Sequence, residues 1–173
     1  VNDDASREFE RLLTRRLARI PLQHLTGQAP FRHLVLMVGP GVFIPRPETE
    51  LLAEVGIRRV REMAAEQQRR ITVVDLCTGS AAVALAVATE CRNVDVHAVE
   101  LSPEAYVWAQ RNVDAHREAM QQQGSTLTLH HGDATHADEL LRDHLGRVDI
   151  VLSNPPYIPD AATPIDPEVA LHD

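Results

Sequence analysis

The chain is predicted to be α/β, with a parallel sheet of about four strands, only partly built, preceded by a helix and a β-hairpin. Three observations predict it. Short apolar runs rich in β-branched residues, at 71–76, 94–99, 126–130 and 148–153, alternate with helical stretches. The first run leads into a glycine turn, Cys77-Thr78-Gly79-Ser80. The last stops at Pro155 and Pro156, two residues that cannot donate to a sheet ladder.

The elements follow in chain order. Phe9, Leu12, Leu13, Leu17 and Ile20 recur at helical spacing, which predicts a helix from about Asp4 to Ile20 docked by one face. Residues 33–45 read as a β-hairpin with Gly39-Pro40-Gly41 as its turn. Arg46-Pro47-Glu48-Thr49-Glu50 opens the next helix, whose apolar positions are Leu51, Leu52, Val55, Val60 and Met63. Thr49 and Glu50 suit a helix cap as well as a ligand-facing bend, and Arg46 suits a structural role. Residues 81–89 are small and aliphatic all round, so that helix is expected between layers. Ser102 and Pro103 supply an N-cap and first-turn proline for a helix over 103–121. Gln121-Gln122-Gln123-Gly124-Ser125 is a plain loop before the third strand.

The chemistry gathers at the strand ends. A strand, a glycine turn and a helix N-terminus make a nucleotide-type cradle, in which free N–H groups point outward and a ligand approaches the backbone closely. A dinucleotide fingerprint needs three glycines, and only Gly79 is present, which disfavours NAD. Asp75 at the strand end and the short turn over Cys77, Thr78, Gly79, Ser80 and Ala81 better fit S-adenosylmethionine, whose amino-acid part carries both charges and no phosphate. Glu100 ends the second strand where a carboxylate accepts from both ribose hydroxyls, although a solvated loop acid would also stand there. Asp133, beside the Ala134 amide, is placed to read the adenine edge. Asn154-Pro155-Pro156-Tyr157 forms a stiff corner. The Asn154 oxygen and the Pro155 carbonyl each accept one N–H of a planar amide or amino nitrogen, Pro156 stiffens the bend, and Tyr157 packs on the flat group.

Composition bounds the function. A chain of 173 residues, 44% hydrophobic and 3% aromatic, builds one core, packed by aliphatic and alanine side chains. All 17 basic residues are arginine. Residues 1–70 hold 12 arginines against 9 acids, whereas residues 71–173 hold 5 against 16. So acidic a second part argues against phosphate-driven DNA binding, which needs a basic track. Cys77 and Cys91 lack a CxxC or zinc spacing and are expected to stay unbridged, Cys77 as a packing residue rather than a nucleophile. The nine histidines, among them His130, His131 and His136, fit no common metal motif, and no metal is assigned. No apolar run reaches the length of a membrane span, and a cytoplasmic protein is expected.

Taken together, 75–80, Glu100, Asp133 and the 154–157 corner resemble the motifs of class I S-adenosylmethionine-dependent methyltransferases acting on nitrogen, a Rossmann-like fold. The corner alone does not choose the substrate, since adenine-N6 methyltransferases share it. Pro21-Leu22-Gln23-His24-Leu25-Thr26-Gly27, Phe31, and Phe43-Ile44-Pro45-Arg46-Pro47-Glu48-Thr49-Glu50 are similar to the protein-(glutamine-N5) methyltransferases of the PrmC/HemK family. That resemblance implies methylation of the glutamine in the Gly-Gly-Gln motif of peptide-chain release factors. It also implies three regions: 1–30 as a remnant of a helical substrate-binding domain, 31–48 as the hairpin linker, and 49–173 as an incomplete methyltransferase domain.

Three departures from the family pattern follow. Ala81 stands where a second glycine is usual, and its methyl is expected to crowd the methionine part of the cofactor. The N-terminal helical domain is shorter than usual. The sheet ends early, Ile165-Asp166-Pro167-Glu168-Val169 looking like the start of a further segment; a chain cut at both ends and poorly stable alone is expected. The alternatives are an adenine-N6 nucleic-acid methyltransferase and a non-catalytic release-factor-binding module. A haem-pathway oxidase finds no flavin or haem motif to support it.

Overall fold

The protein's structure, a computed structural model, describes residues 3–156. Helix α1 (Asp3–Leu17) and the short α2 (Leu22–Thr26) lead into strands β1 (Gln28–Phe31) and β2 (Leu34–Met37). Helix α3 (Thr49–Gln67) then opens the alternating part: β3 (Ile71–Leu76), α4 (Ala82–Glu90), β4 (Val94–Glu100), α5 (Pro103–Ala115), α6 (Arg117–Gln122) and β5 (Thr126–His131). A 3-10 turn at Ala134–His136, helix α7 (Ala137–Leu140) and a second 3-10 turn at Arg142–His144 precede β6 (Ile150–Ser153).

The four long-range strands form one parallel sheet in the order β5-β4-β3-β6. The chain steps outward from β3 to β5 and then returns to the other side of β3. Strand order therefore reverses between β3 and β6, the place where open α/β sheets leave a crevice beyond their carboxyl ends. Alternate residues divide the sheet into two faces. Ile71, Val73, Val94, Val96 and Ala98 pack under α3, α4 and α5. Val74 and Val99 face Leu140 and Leu141 on the other side. Every residue from Ala82 to Thr89 is buried, as expected of a helix with no polar side.

Two contacts seat the elements around the crevice. Gly56 of α3 rests on Leu152 of β6, where a Cβ would come within 2.7 Å of a leucine methyl. The absent side chain lets the helix lie directly on the strand. At the opposite end of β6, Asp149 takes two hydrogen bonds from Arg69, at 2.8 and 2.5 Å, and one from the Thr72 amide at 2.9 Å. This clasp fixes the pairing of Val73 with Ile150, and hence of Leu76 with Ser153.

The structure departs from expectation in four places. The hairpin lies at 28–37, with Phe31 opposite Leu34 and a two-residue turn at Arg32-His33, not at 33–45. Pro30 reads as a strand breaker, but both strands of a two-stranded sheet are edges, where a missing N–H is tolerated. Residues 39–41 instead cross α5, and the Pro40 carbonyl accepts from Trp108 Nε1 at 3.1 Å. The face of α1 expected to dock stays mostly open: Phe9 is 65%, Leu13 45% and Leu17 76% exposed, while Leu12 is half-buried and the helix touches α2. In α3 the buried positions are Ala53, Gly56, Ile57 and Val60, while Leu51 and Val55 face outward. Finally, the expected single helix over 103–121 breaks at His116 into α5 and α6. Residues 165–169 lie outside the described residues.

Candidate active site

The loop after β3 is held in an unusual backbone conformation. Cys77, Gly79 and Ala81 all have positive φ, at 59°, 59° and 65°. Gly79 adopts this freely, and a Cβ there would meet nothing within 4 Å, so the space over it is open. Cys77 and Ala81 are held there by the fold. The Thr78 amide donates to the Val99 carbonyl at 3.0 Å, and the Ala81 amide donates to the Thr78 carbonyl at 3.0 Å.

Asp75 is the knot beneath this loop. It is buried, accepts from Thr78 Oγ1 at 2.6 Å, and takes the Ala84 amide at the first turn of α4. Burial raises its pKa to about 7, against the opposing effect of these two bonds. Glu100 closes the far side. Its Oε2 accepts from the Gly79 amide at 2.8 Å and its Oε1 from the Ser102 amide at 2.8 Å. The expectation that the loop's N–H groups point outward is therefore corrected for Thr78, Gly79 and Ala81: each donates within the protein. Ser102 caps α5 as expected, accepting from Ala105 N at 3.2 Å.

Asn112 is the functional neighbour that sequence reasoning missed. It is fully buried on α5. Its amide donates to the Met37 and Ser80 carbonyls, each at 3.0 Å, and its oxygen accepts from the Met37 amide at 2.7 Å. One side chain thus fastens the hairpin to the glycine loop. The only trace in the sequence is an amide between Ala109 and Val113 on a face otherwise apolar.

The register of β6 brings the proline corner to this loop. Ser153 pairs with Leu76, its Oγ donates to the Leu76 carbonyl at 3.2 Å, and its side chain also bonds the Cys77 thiol. Burial is the largest cause raising the Cys77 pKa, followed by Glu100, so this thiol stays protonated. Asn154, Pro155 and Pro156 are exposed at the crevice mouth. Asn154 Nδ2 donates to Thr49 Oγ1 at 3.2 Å, which leaves Oδ1 as an acceptor among the described residues. Thr49 opens α3, so the helix start lies at the corner rather than merely near it. Tyr157 lies outside the described residues.

Asp133 stands after β5, where its Oδ1 accepts from the Thr135 amide and hydroxyl, both at 2.8 Å. Those bonds lower its pKa and cap the turn at Ala134, leaving Oδ2 toward solvent and His136. Ala81 is fully buried within the main core cluster, so its methyl lines no open surface. The residues present fit S-adenosylmethionine. Open space over Gly79 leaves room for an amino-acid part, the buried Glu100 carboxylate retains lone pairs for hydroxyl donors, and among the described residues no cluster of cations is built there for a phosphate.

The chain is 46% identical to the release factor glutamine methyltransferase of Streptomyces coelicolor over 97% of its own length and 57% of that protein's. It is also 46% identical to the protein of the same name from Mycolicibacterium smegmatis, over 98% of this chain and 54% of that one. It thus spans about half the length of these relatives. A solved SAM-dependent methyltransferase from Agrobacterium tumefaciens overlaps it at a TM-score of 0.47 with 22% identity, covering 67% of this chain and 33% of that one. Residues 59–167, from α3 through the proline corner and beyond, match the family described as methyltransferase small domain. With more than half of its length inside that match, the glycine loop and proline corner included, the chain belongs to the methyltransferase small domain family.

Proposed function

We propose that this chain carries the transfer site of an S-adenosylmethionine-dependent enzyme that methylates the side-chain N5 of the glutamine in the Gly-Gly-Gln motif of peptide-chain release factors. The pairing of Leu76 with Ser153 is the observation that carries this reading, because it sets the amide-accepting corner beside the Gly79–Glu100 cradle. The names of the relatives support the choice of substrate. Such a substrate acts on the ribosome, which gives the reaction a cytoplasmic setting in translation termination.

The bound cofactor supplies an electrophilic methyl group on a sulfonium. The protein must make an amide nitrogen attack it, although the nitrogen lone pair is delocalised into the carbonyl. Asn154 Oδ1 and the Pro155 carbonyl accept the two N–H hydrogens and favour the rehybridised nitrogen as positive charge builds. That interaction strengthens in the transition state. Thr49 Oγ1 holds the Asn154 amide from behind and keeps its oxygen turned to the substrate. Alignment of well-placed partners is worth about 7–11 kcal/mol of the barrier. The nitrogen gains the methyl and loses one hydrogen as a proton to water. Pro156 stiffens the corner. Asp75, Cys77, Thr78, Ser80 and Ala81 shape the loop, and Glu100, Asp133 and Ala134 take the ribose and adenine.

An adenine-N6 substrate is disfavoured by 16 acids against 5 arginines in residues 71–173. The test is transfer of a radiolabelled methyl group to a release factor, run beside the same factor with Gly-Gly-Glu and beside adenine-containing DNA. Label on the glutamine substrate alone is expected; label on DNA would replace this reading with the nucleic-acid one. Calorimetric titration with S-adenosylmethionine, giving heat of binding, separates the enzyme from a non-catalytic module.

A further inference from the structure

On the sheet face away from α4, four residues from three elements converge. Asp95 and His97 lie two apart on β4 and so point to the same side. His130 comes from β5 and His144 from the 3-10 turn before β6. His97 is 4% exposed, and its Nε2 has no hydrogen-bond partner. That atom faces Asp95 Oδ2 at 3.5 Å, longer than an ordinary hydrogen bond. The other ring nitrogen, Nδ1, meets His130 Nε2 at 3.0 Å. The His144 ring lies against that of His97, with centroids 3.9 Å apart. One ligand atom from each of Asp95, His97 and His144 falls within 4.8 Å of the others.

We propose that Asp95, His97 and His144 form a binding site for a divalent transition-metal cation, with Zn²⁺ as the fitting ion. Two ligands on Zn²⁺, each bonded at about 2.1 Å in tetrahedral arrangement, stand about 3.4 Å apart. The observed 3.5 Å between His97 Nε2 and Asp95 Oδ2 matches that edge. The hydrogen bond between His97 Nδ1 and His130 supplies what metal-bound imidazoles usually have: a partner on the second nitrogen that fixes the tautomer and aims the lone pair. Asp95 is likewise oriented, its Oδ1 taken by the Thr126 hydroxyl. Two imidazoles and one carboxylate suit zinc, nickel or cobalt, and exclude calcium and magnesium, which prefer oxygen. His144 is half-exposed, so water reaches the fourth position.

The ion would staple the Arg142–His144 turn to β4. That turn stands six residues before β6, whose far end leads into Asn154. The site is separate from the crevice and does not depend on the methyl-transfer reading.

The test is equilibrium dialysis of metal-stripped protein against Zn²⁺, with metal counted by atomic absorption, and Co²⁺ absorption as a report on ligand geometry. One ion per chain and a Zn²⁺-dependent rise in melting temperature are expected. Both should vanish in His144→Ala and in Asp95→Ala, and both should persist in His136→Ala, which removes an exposed imidazole outside the cluster. Circular dichroism of the stripped variants verifies that they are folded, and His144 on its turn is the substitution least able to disturb the core. Absence of stoichiometric Zn²⁺ in the parent protein, or full retention of it in folded His144→Ala, overturns the proposal.

Discussion

Asp75 and Asn112 show how much of the crevice rests on single buried side chains. Asp75 holds its proton to about pH 7 because burial outweighs the Thr78 and Ala84 bonds. Its folded pKa lies above the unfolded value of 3.8, so the native state binds more protons between the two. Stability from this group is therefore greatest at low pH and falls as pH rises from about 4 to about 7. Asp75→Asn removes the titration. Its melting temperature, compared with the parent's from about pH 5 to about pH 8, should gain on the parent as pH rises. An unchanged difference across that range would show that Asp75 is ionised throughout.

Asn112→Ala strands two carbonyls and one amide, those of Met37 and Ser80. A loss of about 3 kcal/mol in urea denaturation is expected, with weaker cofactor binding through the released Ser80. Ala81→Gly is the contrasting case. It relieves a positive φ worth about 1–2 kcal/mol, but it removes a buried methyl and adds unfolded-state freedom, each about 1 kcal/mol. Stability within about 1 kcal/mol of the parent is expected, with cofactor affinity unchanged in calorimetry. A markedly tighter affinity would instead support crowding by the methyl.

At the scale of elements, local pattern and tertiary placement diverge most in α1 and the hairpin. The spacing of Phe9, Leu13 and Leu17 specifies a helix, and the helix is there, supported by Asp3 and Asp4 in its first turn and Arg15 and Arg16 in its last. Spacing says which residues share a face but not what that face meets. Phe9→Ser with Leu17→Ser should leave the urea midpoint nearly unchanged, within about 0.5 kcal/mol, because little is buried there. A larger loss would reveal packing by α1 that the described contacts lack. The sequence misplaces the hairpin because Gly39-Pro40-Gly41 is the stronger local turn signal. The actual turn at Arg32 is stabilised from afar: the Arg32 guanidinium bonds Glu90 at 2.5 and 2.8 Å and meets Glu54 at 2.9 Å, and its amide donates to Glu50 at 2.9 Å. The core strands were legible because β-branched runs bounded by turn residues need no distant information: 71–76 matches residue for residue, and 94–99 is extended only by Glu100.

For the whole molecule, the decisive feature is the return of the chain to the free side of β3. It joins the glycine loop after β3 and the proline corner after β6, which lie about 75 residues apart in sequence. Asn154→Ala should abolish methyl transfer while leaving cofactor binding largely intact, since Glu100 and the Gly79 loop have their own supports. Calorimetry and a transfer assay on the same preparation check this. Equal loss of both would mean that the corner also builds the cofactor site.

The sequence by itself determined the strands of the parallel sheet, the glycine turn, the capped start of the helix after Glu100 and the proline corner, because short-range sterics and periodicity govern each of them. Only the tertiary structure decided that Asn112 ties the hairpin to the loop, that Thr49 backs Asn154, and that Asp95, His97 and His144 meet. Apart from the Asp95–His97 pair, which the period of β4 sets on one face, those contacts join residues from separate elements at intervals that follow no helical or strand period. Hydrogen bonds and metal-ligand distances are satisfied in space, and the folded path of the chain alone sets which groups come within reach.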